Sequence, residues 1–209
     1  HVGVGSYGMD AKVQEMGEAG LLGPDTTYIH CTTLNDTEIQ MIVDTGGTVS
    51  LASPVEMMMG HGMPPIQKFL DRGLRPSLSV DVETNVPGDM FNQMRSVLGL
   101  QRAIASAQGK TPVAAREVLD AKVGTLAPGK QADLIMLRTD RINVTPLNDP
   151  ATAVVTGMDT GNVDTVLIAG RVMKRHGRLL HVDWPAVRRM AAESRDYVVA
   201  KSGFKLPGI

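Results

Sequence analysis

Before residue 120 the chain alternates short apolar runs with segments of helical periodicity, and this rhythm restricts the possible folds more than any other feature. Thr27-Tyr28-Ile29-His30-Cys31 reads as a strand, introduced by the turn signal Gly23-Pro24-Asp25. Asn35 or Asp36 then offers an N-cap to a helix carrying Ile39, Ile42 and Val43 on one face, and Gly46-Gly47 ends it. Thr48-Val49-Ser50-Leu51-Ala52 is the next strand, Pro65 to Leu70 the next helix, and Ser77-Leu78-Ser79-Val80-Asp81 the strand that follows Gly73. Phe91 to Ala107 is a longer amphipathic helix, and Thr111-Pro112 opens another that runs to about Leu119. Strands alternating with helices imply parallel βα units joined by right-handed crossovers.

After Asp120 the rhythm changes. The run Val123-Gly124-Thr125-Leu126-Ala127-Pro128-Gly129-Lys130-Gln131-Ala132-Asp133-Leu134-Ile135-Met136-Leu137 is a turn-rich approach to a short apolar strand. Proline presets φ and glycine admits positive φ, so Pro128-Gly129 favours a tight turn. Val163–Ala169 and Arg171–Lys174 are also strand-like, with a hairpin turn at Ile168-Ala169-Gly170-Arg171. Asp183-Trp184-Pro185 caps a final helix with Val187, Met190, Ala191 and Tyr197 at helical spacing. The expected division is therefore 1–119, built of βα units, and 120–209, a small β portion with a C-terminal helix. Ala132–Leu137 should pair with Val163–Ala169 and Arg171–Lys174 in a layer separate from the parallel strands.

A net charge of −1 gives no electrostatic case for nucleic acid or an anionic membrane surface. No apolar run approaches the ~20 residues that span a bilayer. The single cysteine, Cys31, excludes an intramolecular disulfide and fits a reducing, cytoplasmic setting. The chain opens on His1, and its first residues read as the end of a buried strand, so the expectation is the C-terminal portion of a longer protein. Met57, Met58 and Met59 are expected to fill core or a pocket wall, where flexible thioethers suit irregular space.

His1, His30 and Asp81 stand at or beside the C-terminal ends of the expected strands. In a parallel βα barrel that face holds the active site, because different strands can aim side chains at one point. An imidazole on a strand end suits metal ligation or proton transfer. Each residue also has a plain structural reading: a strand-end aspartate is often a helix cap, and a lone histidine a satisfied core or surface residue.

The order His, then His-Cys, then Ser53-Pro54, then Gly60-His61-Gly62-Met63-Pro64-Pro65, then Ser-Val-Asp resembles the second half of an amidohydrolase barrel. The segment Gly124-Thr125-Leu126-Ala127-Pro128-Gly129-Lys130 is similar to the passage from that barrel into a small β-sandwich. The resemblance is to the branch containing cytosine deaminases, adenosine-type deaminases and chlorohydrolases. It implies an α/β fold: the C-terminal part of a TIM-type (β/α)8 barrel, about strands 5–8, followed by a β-sandwich segment and a terminal helix. It further implies a metal-dependent hydrolase of C–N bonds other than peptide bonds, acting on cyclic or amide-like small molecules.

By the same resemblance His1, His30 and Asp81 would ligate a divalent metal, zinc with iron as the alternative. Asp81 would be the general base, and His30 would hydrogen-bond the substrate. His61 and Glu83 are substrate-binding candidates. The branch places Glu where this chain has Val4, which departs from its proton-shuttle pattern. The implied partners are a small-molecule substrate and either a second copy or the missing N-terminal half, with no nucleic acid and no membrane. The rival reading is a catalytically silent fragment that needs another chain segment to complete the barrel and the metal site.

Overall fold

The computed structural model of the chain describes residues 1–8, 12–119 and 126–205. The chain divides into two compact units, His1–Pro128 with Thr139–Thr160, and Gly129–Arg138 with Gly161–Ile209. Among the described residues no helix is long and apolar enough to cross a membrane.

The first unit follows the expected alternation. After α1 (Lys12–Glu18) come β1 (Thr27–Ile29), α2 (Asp36–Asp44), β2 (Thr48–Leu51), α3 (Ser53–Met58), α4 (Ile66–Leu70), β3 (Ser77–Leu78), α5 (Met90–Ala107), α6 (Ala115–Leu119) and a short turn of helix, α7 (Pro150–Thr152). The strands form one parallel sheet in the order β1-β2-β3, with Thr27 opposite Thr48 and Ser50 opposite Ser77. Val2 adds a parallel bridge to His30 on the far side of β1. Tyr28, Val49 and Leu51 are buried, which explains why these short strands hold their register.

Asn35 starts α2 with a capping box: its side chain accepts the Glu38 N–H while Glu38 accepts the Asn35 N–H. Glu38 also accepts the Val13 N–H, so one buried carboxylate ties α1 to α2. Ile39 and Ile42 form the inward stripe of that helix, as the periodicity implied. Gly47 is required where the chain enters β2, since a Cβ there would lie 2.6 Å from a ring carbon of buried Tyr28. Asp89 caps α5 by accepting the Asn92 N–H, and Phe91, Met94, Val97, Leu98 and Gln101 turn inward.

Three details differ from the sequence reading. The helix α3 forms directly after β2, where no helix was anticipated. Met57, Met58 and Met59, expected to fill core or a pocket wall, are exposed at 38%, 66% and 51% and are not core. The helix α6 begins at Ala115 and not at Thr111, because Glu117 reaches back to accept the Ala114 N–H and sets the first turn there.

In the second unit β4 (Leu134–Leu137), β5 (Val163–Ile168), β6 (Arg171–Arg175) and β7 (Arg178–Leu179) form one antiparallel layer in that order. Leu134 pairs with Leu167, and Ile168 with Arg171, which is the separate layer the turn-bounded runs implied. Ala169 and Gly170 both have positive φ, the signature of a two-residue type I′ hairpin whose twist suits the flanking strands. The Asp133 side chain and the Ala132 carbonyl accept their amide hydrogens. Gly129 has φ +83, as a Pro-Gly turn requires, whereas Val123, Gly124 and Thr125 lie outside the described residues. The last helix, α8 (Trp184–Ser202), is capped by Asp183 and by left-handed Gly203, and none of its side chains is buried. Val187, Met190 and Tyr197, spaced as a packing face, are exposed.

Candidate active site

Because β1, β2 and β3 are parallel, their C-terminal ends open to one side. His30 follows β1 directly, Glu56 stands on α3 just beyond β2, and Asp81 comes three residues after β3. His1 joins them from the other flank, since the Val2 N–H donates to the Ile29 carbonyl and the Cys31 N–H to the Val2 carbonyl.

The polar side chains form a row. Glu56 Oε1 lies 3.1 Å from His30 Nδ1, and His30 Nε2 lies 3.0 Å from His1 Nδ1. His30 is 3% exposed and Glu56 0%. The His61 ring meets His30 edge-on, with centroids 5.9 Å apart. The loop carrying His61 is pinned: the His61 carbonyl accepts from the Gly5 N–H and the Thr32 hydroxyl, and its N–H donates to the Glu56 carbonyl. Gly62, at φ +122, lets the loop pass Thr32, against which a Cβ would sit 3.1 Å away.

Three residues here hold a left-handed backbone that side chains rarely adopt: His30 at φ 75, Cys31 at φ 57 and Asp81 at φ 64. Such strain persists where surrounding structure enforces it, and it concentrates at functional sites. Burial lowers the His30 pKa; the Asp81 charge opposes that shift and His61 adds to it. Burial pushes Glu56 up to about 7 against the stabilising Ala52 N–H, with the Asp81 charge adding to the rise. Near neutral pH His30 is therefore uncharged, and its contact with Glu56 is a hydrogen bond more than an ion pair.

The structure thus brings His1, His30 and His61 together and sets the Asp81 charge to act on the same cluster. Glu83 is exposed in the loop after Asp81, with its carboxylate folded against Gly88 of that loop. Glu56 proves to be the buried centre of the cluster. Its Oε1 accepts, at 2.8 Å, the N–H of Ala52, the N-cap of α3 that has no capping side chain of its own. His176 lies on the antiparallel layer, 3.7 Å from Asp164, and His181 follows that layer.

Two imidazoles and a carboxylate are the donor types that a zinc-like ion takes. Among the described residues, however, no three His, Cys, Asp or Glu side chains are grouped to hold a metal ion. His1 Nδ1 and His30 Nε2 each engage the ring nitrogen that the other would offer. The donors fit in kind, and a closed site would need more of them.

Cys31, beside this row, is fully buried, and burial together with the Glu56 charge pushes its thiol up to about 12. The thiolate is the reactive form. Native protein at pH 8 is therefore expected to leave Cys31 unlabelled by a chromogenic disulfide reagent, with one thiol appearing on denaturation. Prompt labelling of folded protein would contradict this burial. The raised pKa also has a stability sign: the contribution of the neutral thiol is complete below about pH 9 and is lost as pH climbs towards 12.

A sequence model described as the Amidohydrolase family matches residues 6–173. The 5'-deoxyadenosine deaminase of Methanothermobacter thermautotrophicus is 33% identical over 186 residues, covering 83% of this chain and 43% of that protein. The 5-methylthioadenosine/S-adenosylhomocysteine deaminase of Nitratidesulfovibrio vulgaris is 29% identical over 197 residues, covering 88% and 44%. The chain thus spans less than half the length of these curated relatives. In fold it is similar to an adenosine deaminase from Xanthomonas campestris solved with bound zinc, with a TM-score of 0.85 at 21% identity over 96% of this chain and 50% of that one. It is also similar to an atrazine chlorohydrolase from Arthrobacter aurescens complexed with zinc, at a TM-score of 0.76 and 19% identity over 88% and 43%.

Proposed function

We propose, from the premise that the chain belongs to the amidohydrolase family, that it forms part of a metal-dependent hydrolase of C–N bonds in cyclic or amide-like small molecules. The observation that carries this reading is the hydrogen-bonded row His1–His30–Glu56 at the C-terminal mouth of parallel strands, with the Asp81 charge acting on it. Deaminases of modified adenosines among the relatives make adenine nucleosides the first substrates to test. The chain would supply about strands 5–8 of a TIM-type barrel from residues 1–119, and residues 120–209 the adjoining β portion. In support, the solved neighbour at TM-score 0.85 is twice as long.

In this reading His1, His30 and Asp81 contribute to a divalent-metal site, zinc or alternatively iron, completed by donors outside this chain. When bound, such a metal acidifies a coordinated water towards a pKa of ~7. Asp81 takes the proton of the attacking water and returns it to the leaving nitrogen. His30 directs its Nε2 into the mouth, while His61 and Glu83 face the substrate. The partner is the N-terminal half of the barrel, with association of copies as a further level of assembly, in the cytoplasm.

A second reading, a catalytically silent fragment, draws on the lack of a three-donor grouping among the described residues. Elemental analysis and an ammonia-release assay of the complete protein decide between them. Near-stoichiometric zinc or iron with ammonia released from an adenine nucleoside or aminopyrimidine supports the hydrolase. A stable, metal-free protein that releases no ammonia supports the silent reading.

A further inference from the structure

Glu56 is completely buried, and no step of the proposed hydrolysis uses its carboxylate. Carboxylates are almost never buried this deeply without a partner that requires them. Ala52, Val55 and Val86 form a buried apolar cluster that includes the start of α3, the helix that carries Glu56.

The hydrogen bonds around Glu56 determine where the hydrogens lie. Oε1 is 2.8 Å from the Ala52 amide nitrogen, which can only donate, and 3.1 Å from His30 Nδ1. Among the described residues Oε2 has no hydrogen-bond partner, and as a carboxylate Glu56 meets its neighbours through Oε1, which can only accept. An acceptor facing His30 Nδ1 requires that nitrogen to carry a hydrogen. In a neutral imidazole the lone pair then sits on Nε2, the atom that faces His1 Nδ1 at 3.0 Å. The pattern is that of the ionised carboxylate; a proton on Oε1 would donate to Nδ1 and reverse the tautomer.

We propose that Glu56 is a positioning residue that locks His30 as its Nδ1–H tautomer and aims the basic Nε2 at the His1 side of the mouth. It acts through His30, and its consequence for turnover rests on the hydrolase reading given above. Carboxylates that hold the outer nitrogen of a functional imidazole serve this purpose generally, and losing one typically costs 10–100-fold in activity or metal affinity. Such a carboxylate also raises the basicity of the far nitrogen, which a backbone carbonyl does less effectively.

The test is a two-bond proton–nitrogen correlation spectrum of the complete native protein with ¹⁵N-labelled histidine, assigned through His30→Gln. Wild-type His30 is expected as the Nδ1–H tautomer. Glu56→Gln, which keeps an oxygen facing Nδ1, should preserve it. Glu56→Leu should shift His30 towards Nε2–H and lower kcat by about 10–100-fold relative to the Gln variant. A purely structural role for Glu56 would leave the tautomer unmoved in any variant that still folds. Wild-type His30 found as Nε2–H, or Nδ1–H retained in folded Glu56→Leu, overturns the proposal. Should Glu56→Leu fail to fold, the wild-type spectrum alone decides. His30 locked as Nδ1–H in a protein that hydrolyses nothing sinks the hydrolase reading and supports the tautomer assignment.

Discussion

Asp81→Asn is expected to lower turnover of the complete protein by about 10²–10⁴-fold, the usual loss when a general base is removed. An amide oxygen is a poor acceptor for a water proton at neutral pH and a weaker ligand than a carboxylate. The substitution is also unusually clean. Asp81 sits at φ 64, and asparagine tolerates that left-handed region about as well as aspartate does, so the backbone need not move. What disappears is the negative charge that raises both the His30 and the Glu56 pKa. Both should fall in the variant, and an imidazole titration would register it even where turnover is too slow to measure. Turnover and metal content have to be read side by side on candidate adenine nucleosides, aminopyrimidines and chlorotriazines. Near wild-type values for both would remove Asp81 from the mechanism and with it most of the case for a hydrolase.

Phe69→Ala is expected to cost about 3–5 kcal/mol of stability, the range for emptying a large aromatic site in a core. Phe69 is completely buried on α4, a helix of five residues with no side-chain cap. So short a helix has little stability of its own. It is held by the two side chains it buries, Ile66 and Phe69, and by its packing on α2. Truncation leaves a cavity under a segment whose remaining buried side chain is Ile66. Urea unfolding, with hydrogen exchange of the α2 and α4 amides, measures the loss. A decrease below about 1 kcal/mol would mean that the site collapses without penalty, contrary to close packing.

The βα rhythm was legible because its signals are local. Asn35 before an apolar stripe marks α2, and the Val49, Leu51 alternation marks β2, wherever these segments end up in the fold. Strand ends were less legible. The expected strands run through His30 and Asp81, but the observed ones stop at Ile29 and Leu78, before the chain enters a left-handed conformation that tertiary structure imposes. The helix α3 escaped notice because Ala52 offers no capping side chain and the helix is only six residues long. Of the site, His1, His30 and Asp81 could be placed by their positions at strand ends. Glu56 could not, because nothing in a sequence states that a given carboxylate will lose all its water. The final helix was legible from its Asp183 cap, although its helically spaced apolar residues are exposed, since such spacing does not ensure burial.

The left-handed backbone at His30, Cys31 and Asp81 means that substitutions at these three positions face two separate filters. One filter is steric: β-branched residues are disfavoured there whatever chemistry they bring, while glycine, asparagine and aspartate pass. The other is functional, and glycine fails it wherever the side chain is needed. A saturation library therefore sorts the positions without knowledge of the substrate. A position that accepts glycine but rejects valine is constrained by its conformation, and one that rejects both glycine and asparagine is constrained by the atoms its side chain carries.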